Sequence, residues 1–244
     1  MEVSYSNIAS LQGIEYFTLL SSLDCSHNKL TGLDVSANSA LTILRCNDNE
    51  LTSLDVSANT ALTILDCDSN ELTSLDVNAN TALISLDCYR NKLTSLDVSS
   101  NVALETLTCS YNSLAVLEVS VNTALTRLNC CNNDLVNLDV SANTALTYLH
   151  CTDNNLTTLN VNNNLELEIL YCDDNPLTSI DVTQNSKLKS FSAICKKVVE
   201  LDADGKFDLN SLEGLDIDRA TYKSGAAITN GIADASDGSG YVIY

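Results

Sequence analysis

Tryptophan is absent from the 244-residue chain and phenylalanine occurs only three times. A core built on large rings is therefore excluded, and the 45% hydrophobic content has to pack as aliphatic side chains, chiefly leucine. Positive charge is also scarce: 12 lysines and arginines stand against 32 aspartates and glutamates, a net charge of −20. Such a surface repels phosphate backbones and anionic lipid head groups, so nucleic acid and membrane surfaces are poor partners. No run of about 18 apolar residues is present, which argues against direct membrane insertion. The opening MEVSYSNIASLQGIEY lacks the basic and apolar regions of a secretory leader. That leaves a cytoplasmic protein or a piece of a longer secreted one. The length allows one large domain, or one domain with an appendage.

Ten cysteines raise the question of a disulfide framework, and their spacing answers it. Cys25, Cys46, Cys67, Cys88, Cys109, Cys130, Cys151 and Cys172 recur every 21 residues. Residues of equal phase in a coiled chain lie on parallel neighbouring strands about 4.8 Å apart and point the same way, which is poor geometry for bridging. They read as free thiols that serve as small core hydrophobes, and such a ladder points to a reducing or oxygen-poor surrounding. Cys131 and Cys195 lie outside the ladder and are the thiols expected to react.

The repeat has two halves. Leu62, Leu65, Cys67, Asn70 and Leu72 spell L-x-x-L-x-C-x-x-N-x-L, and Leu72, Leu75, Val77 and Asn80 continue it as L-x-x-L-x-V-x-x-N. The alternation in L-x-C and L-x-V is the period of a strand with one face inward. Half a repeat is too short to close around a packed core, so one coil takes the full 21 residues and each half supplies a short strand and a corner. Two asparagine series, one through Asn70 and one through Asn80, hold fixed phase. Inward amides both donate and accept, so they can satisfy backbone groups that corners leave unpaired.

The first half resembles the leucine-rich-repeat segment LxxLxLxxNxL with cysteine in the sixth place, and IASLQGIEYFTLLSSLDCSHNKL is similar to a repeat of the bacterial internalin-like surface proteins. The similarity runs from residue 8 to about 193. It implies an α/β-class leucine-rich-repeat solenoid, mostly β with little or no helix, right-handed and curved, of about nine turns. A parallel sheet would lie on the cysteine-strand side, which the resemblance makes the usual ligand face. Because the valine half also reads as a strand, a second narrow sheet is open on the other side. Three segments are expected: 1–22 as N-terminal cap and first turn, 23–193 as the solenoid, and 194–244 as a C-terminal capping segment or small β module. In the last, Phe191 and Ala193 having taken the leucine and cysteine places, the pattern stops and six of the eight glycines follow from Gly205 onward.

Comparison of the coils with one another locates a functional face. Outward positions around the valine strand are nearly constant, as in Ser53, Asp55, Ser57 and Ser95, Asp97, Ser99. Around the cysteine strand they vary. Between residues 23 and 193 every Tyr, Arg and His lies at or beside an outward position of that strand: His27, Arg45, Tyr89, Arg90, Tyr111, Arg127, Tyr148, His150 and Tyr171. Tyr and Arg concentrate binding energy in interfaces. The competing explanation is that strands tolerate large side chains better than corners do. The expected ligand residues are Tyr89, Arg90, Tyr111, Arg127, Asn129, Tyr148, His150 and Tyr171, with Tyr111, Arg127, Tyr148, His150 and Tyr171 in one patch about 15 Å across. Arg45, in a row with Asp24, Asp66 and Asp87, is expected to pair with the flanking carboxylates.

Catalytic chemistry finds little support. Cys131 and His150 fall on adjacent strands, but no orienting third group or oxyanion donor accompanies them. Stacked carboxylates from Asp34 to Asp181 on the valine side should repel and raise some pKa values, unless the flanking Ser and Thr hydroxyls compensate, and one carboxylate per coil makes a poor cation site. The acidic turn 200–208 resembles a calcium loop but holds Ser211 where the final bidentate Glu belongs. No cofactor or metal is expected. The sequence favours a monomeric, non-enzymatic scaffold that binds a protein or glycan partner, with the cell surface or secretion implied by the resemblance. A structural spacer or adhesion stalk is the alternative.

Overall fold

The structure is a computed structural model that describes residues 1–193 and the short strands 206–208, 227–229 and 232–234. Nine three-residue strands, one per coil, form a single parallel sheet in chain order. They are β1 (Ser22–Asp24), β2 (Ile43–Arg45), β3 (Ile64–Asp66), β4 (Ser85–Asp87), β5 (Thr106–Thr108), β6 (Arg127–Asn129), β7 (Tyr148–His150), β8 (Ile169–Tyr171) and β9 (Ser190–Ser192). The register never slips: Leu44 pairs with Leu65, Leu65 with Leu86, Leu128 with Leu149. Among the described residues helix is limited to one 3-10 turn, Ile14–Tyr16, entered through Gly13 at φ 101°, a value only glycine adopts freely. The chain is a β-solenoid.

The 21-residue coil follows from which side chains must leave water. In the coil from Leu62, the side chains of Leu62, Leu65, Cys67, Leu72 and Val77 are wholly buried and Leu75 nearly so. Each fully buried leucine contributes roughly 1.5–3 kcal/mol, and stacking coil on coil joins these contributions into one core running from Ile14 to Leu177. All nine described cysteines are reduced and buried; for the eight of the ladder this is what the spacing predicts.

The two asparagine series do different work. On the cysteine side Asn70 donates through Nδ2 to the carbonyls of Cys46, Cys67 and Asp68, and its Oδ1 accepts the Leu51 N–H at 3.0 Å. Both ends of the amide are used. On the valine side Asn80 donates to the carbonyls of Val56 and Asn59, but its Oδ1 is buried without a partner, as are those of its seven equivalents from Asn38 to Asn185.

No second sheet forms on the valine side among the described residues; the one β contact there is an isolated bridge between Asp34 and Asp55. The reason lies in the constant Asp-x-Ser motif. Asp55 Oδ1 accepts the Ser57 N–H at 2.9 Å, and Asp97 and Asp139 do the same for Ser99 and Ser141. A backbone N–H captured by its own neighbour is lost to a ladder with the next coil. The valine segment therefore turns, closed by the Asn59 N–H on the Val56 carbonyl at 2.9 Å.

Residues 1–5 lie along the first strand: Val3 N–H donates to the Asp24 carbonyl at 2.8 Å and Asp24 N–H to the Met1 carbonyl at 2.9 Å. An open strand edge is thereby paired. At the other end Phe191 pairs in register with Leu170 and is 45% exposed. Strands β10 (Lys206–Asp208), β11 (Ala227–Thr229) and β12 (Ile232–Asp234) form an antiparallel sheet in the order β10-β12-β11. The expected calcium-like turn, Ser211 and Cys195 otherwise lie outside the described residues.

Candidate functional site

Parallel in-register pairing puts the outward side chains of the sheet in two rows. One runs Ile43, Ile64, Ser85, Thr106, Arg127, Tyr148, Ile169, Ser190; the other runs Asp24, Arg45, Asp66, Asp87, Thr108, Asn129, His150, Tyr171, Ser192. In each strand from β1 to β8 the middle leucine is buried and its two neighbours are not. The varied residues therefore stand on the outside of the sheet.

On β6 to β8 four of the expected residues meet. The guanidinium of Arg127 lies 3.7 Å from the ring centroid of Tyr148, while Tyr171 meets Tyr148 and His150 edge-on at 6.4 and 5.4 Å. Tyr171 is tied in turn to Ser190 by a hydroxyl contact of 2.8 Å. Arg127 has no carboxylate partner among the described residues. Burial lowers the His150 pKa, with Arg127 acting the same way against the opposing pull of Asp173, so the imidazole is neutral at pH 7. Burial also raises the Tyr148 hydroxyl, which keeps it a hydrogen-bond donor. Asn129 follows Arg127 on β6 and its Oδ1 reaches the Cys131 N–H at 3.4 Å.

The other three expected residues stand apart from this cluster. Arg90 and Tyr111 belong to a corner row, His27, Asp48, Ser69, Arg90, Tyr111, Asn132, Asp153 and Asp174, in which every residue has φ between 50 and 56°. Tyr111 packs edge-on against Tyr89 at 5.3 Å rather than joining the strand cluster. Of the residues expected in one patch, four thus stand on the strands and Tyr111 at a left-handed corner in contact with Tyr89.

Two further expectations are corrected, and one left open is resolved. Cys131 is buried, 4% exposed, although its position is an outward one, and Ser26 and Ser110 in the same row are buried too. Buried thiols are inert, which removes the Cys131–His150 nucleophile. Arg45 forms no ion pair among the described residues; His27 pairs with Asp48, and Lys92, Lys187 and Lys189 pair with Glu71, Glu166 and Glu168. Finally, on the valine side compensation by flanking hydroxyls prevails over repulsion at five carboxylates. Hydrogen bonds from Ser36, Ser57, Ser99, Ser141 and Thr183 lower Asp34, Asp55, Asp97, Asp139 and Asp181, and for Asp55 they outweigh the repulsion from Asp34.

The raised carboxylates are on the cysteine side, where the repeats gave no warning. Burial, helped by repulsion from Asp68 and Asp87, lifts Asp66 to about 7, and burial with repulsion from Asp68 lifts Asp87 to about 6. One oxygen from each of Asp66, Asp68 and Asp87 lies within 4.8 Å of the others. The N-terminal half of the sheet is therefore acidic and the C-terminal half aromatic.

No protein-family model matches the chain, and no curated protein sequence matches it. Among solved structures, the functional domain of InlJ from Listeria monocytogenes, described as including a cysteine ladder, is 37% identical with a TM-score of 0.65 over 84% of this chain. The chain has the leucine-rich-repeat solenoid fold and is similar to the internalins. It spans about half of that InlJ structure, 55%. The internalin-like chain also shares its fold with internalin C2 from the same organism, at 19% identity and a TM-score of 0.58 over 79% of this chain and 78% of that one. A plant receptor kinase ectodomain from Arabidopsis thaliana, solved in complex with Casparian strip integrity factor 2, superimposes with a TM-score of 0.69 at 24% identity over 75% of this chain and 25% of that one.

Proposed function

We propose that the chain is a non-enzymatic recognition module that binds a protein or glycan partner through the outward face of β6 to β8, as part of a bacterial surface or secreted protein. The observation that carries this is the cluster of Arg127, Tyr148, His150 and Tyr171: large side chains, each held by a neighbour, on the face that differs most from coil to coil. Side chains ordered before binding lose little entropy on binding, and Tyr and Arg supply both contact area and directed hydrogen bonds. Leucine-rich-repeat relatives act as interaction scaffolds, and the plant ectodomain similar in fold was solved with a bound factor. The surface location rests on the likeness to InlJ.

The test is an array of host-cell proteins and glycans probed with wild-type chain and with a Tyr148→Ala/Tyr171→Ala variant. The reading expects at least one ligand whose signal falls at least ~100-fold in the variant, the loss of two hot-spot residues of about 1.4 kcal/mol each. A ligand bound equally by both proteins, but lost on replacing Asp55 and Asp76, would move the functional face to the valine side. No ligand at all would favour the spacer.

A further inference from the structure

The corner row carries a second, chemically different site. A concavity of about 470 Å³ lies beside Tyr111, lined by Arg90, Tyr111, Ser113, Asn132, Asp134 and Asp153. Ladder residues Asn112 and Asn133 also line it, but both ends of each amide are committed to the backbone, Oδ1 to the N–H of Leu93 and Leu114 and Nδ2 to corner carbonyls. They serve as a rigid floor. The other six side chains take part in no hydrogen bond or ion pair among the described residues. Their polar groups are free to meet a ligand.

The fold does not require two of these residues. Every corner position is left-handed, a conformation in which Asn and Asp are at ease and long side chains are disfavoured. Asn132 and Asp153 obey that preference, whereas Arg90 and Tyr111, at φ 51 and 55°, do not. Tyr111 is also 49% exposed, and its edge-on contact with Tyr89 at 72° fixes the ring while leaving at least one face unstacked.

A flat ring face bordered by carboxylates, an amide, a hydroxyl and a guanidinium matches the two surfaces of a sugar ring, whose C–H face packs on an aromatic and whose hydroxyls both donate and accept. Two carboxylates outnumber the single guanidinium, so an anionic ligand is repelled, and the lining is about equally polar and apolar, which suits a ligand that presents both kinds of surface. We propose that this corner concavity binds a neutral saccharide, with Tyr111 as the stacking platform and Asn132, Asp134, Asp153 and Arg90 as hydroxyl partners. The proposal goes beyond the reading of the strand face and involves different residues.

The experiment is saturation-transfer NMR on the full chain with lactose, cellobiose, mannobiose and N,N′-diacetylchitobiose, each at about 10 mM, above the ~1 mM Kd suited to a shallow open site. At least one disaccharide should receive saturation. Tyr111→Ala and Asp134→Ala/Asp153→Ala should each weaken binding by at least ~10-fold, with circular dichroism unchanged, while Tyr111→Phe keeps the ring and retains binding. Tyr148→Ala/Tyr171→Ala should bind as wild type does. No transfer to any of the four sugars overturns the proposal, as does transfer that survives Tyr111→Ala. Transfer lost only in the Tyr148/Tyr171 variant would overturn it while supporting the strand face as the glycan surface.

Discussion

The guanidinium of Arg127 rests 3.7 Å from the ring centroid of Tyr148, one coil away in the same row of the sheet. An arginine with no carboxylate nearby is unusual on a chain of net charge −20, and the ring stands in for the missing anion. Because both side chains lie outside the packed interior, their removal should separate recognition from folding. Replacing Tyr148 and Tyr171 with Ala should change stability by less than about 1 kcal/mol, whereas Leu149→Ala, one residue from Tyr148 but wholly buried, should cost about 2–5 kcal/mol. Urea midpoints of the variants measure this; equal losses would mean the rings belong to the core.

Thiol accessibility gives a second test. Burial pushes the Cys25 thiol up to about 12 and raises those of Cys46, Cys67, Cys88, Cys109, Cys130 and Cys151 as well, and all nine described cysteines are covered. Native protein treated with a maleimide and mapped by peptide mass spectrometry should carry no adduct on any of the nine, and should gain them all after denaturation. An adduct on Cys131 in the native protein would place that thiol outside.

The acidic half of the sheet predicts a pH dependence of a particular sign. Asp66 and Asp87 have folded pKa values near 7 and 6, above the ordinary value of 3.8, so between those limits the folded state holds more protons than the unfolded one. Their contribution to stability is present at pH 4 and is lost as pH rises through about 6 to 7. The lowered valine-side aspartates behave oppositely: their contribution is present above pH 4 and is lost as pH falls through their folded pKa values. Asp66→Asn should therefore be more stable than wild type at pH 8 and gain little at pH 4. A gain of equal size at both pH values would show that Asp66 titrates normally.

The asparagine series can be compared directly. Asn70→Ala strands the Leu51 N–H and three carbonyls, while Asn80→Ala removes donors to two carbonyls together with an unpartnered oxygen. Denaturant unfolding should find the first more costly by about 1–3 kcal/mol. Equal costs would mean that Asn80 Oδ1 is in fact satisfied.

What was legible in the sequence was whatever the interior imposes eight times over. Leu65, Cys67, Asn70 and Val77 recur because each coil must bury the same atoms, so periodicity alone gives the strand, its register and the reduced thiols. The surface was less legible because its outcome depends on side chains from neighbouring coils. Cys131 stands at an outward phase but is buried, an outcome that the phase within one coil does not contain. The valine segment alternates like a strand, yet its Asp-x-Ser pairs draw the N–H groups into local turns, so no sheet forms. Those hydrogen bonds also decide the pKa direction, which the sequence left between repulsion and compensation by hydroxyls. Tyr111 shares a coil with the strand β5 but stands at a left-handed corner.

Every hydrogen bond of the sheet joins residues about one coil apart, and each coil touches only the coils before and after it. Length is therefore a heritable variable that the fold leaves unconstrained. Loss or duplication of a whole 21-residue segment rejoins identical surfaces, whereas an insertion of any other size breaks the register of every coil it separates. Such a gene can grow or shrink by recombination between its own repeats, and the rings and charges on the outer rows are reshuffled into new combinations each time. The uniform interior is what makes the outside free to change.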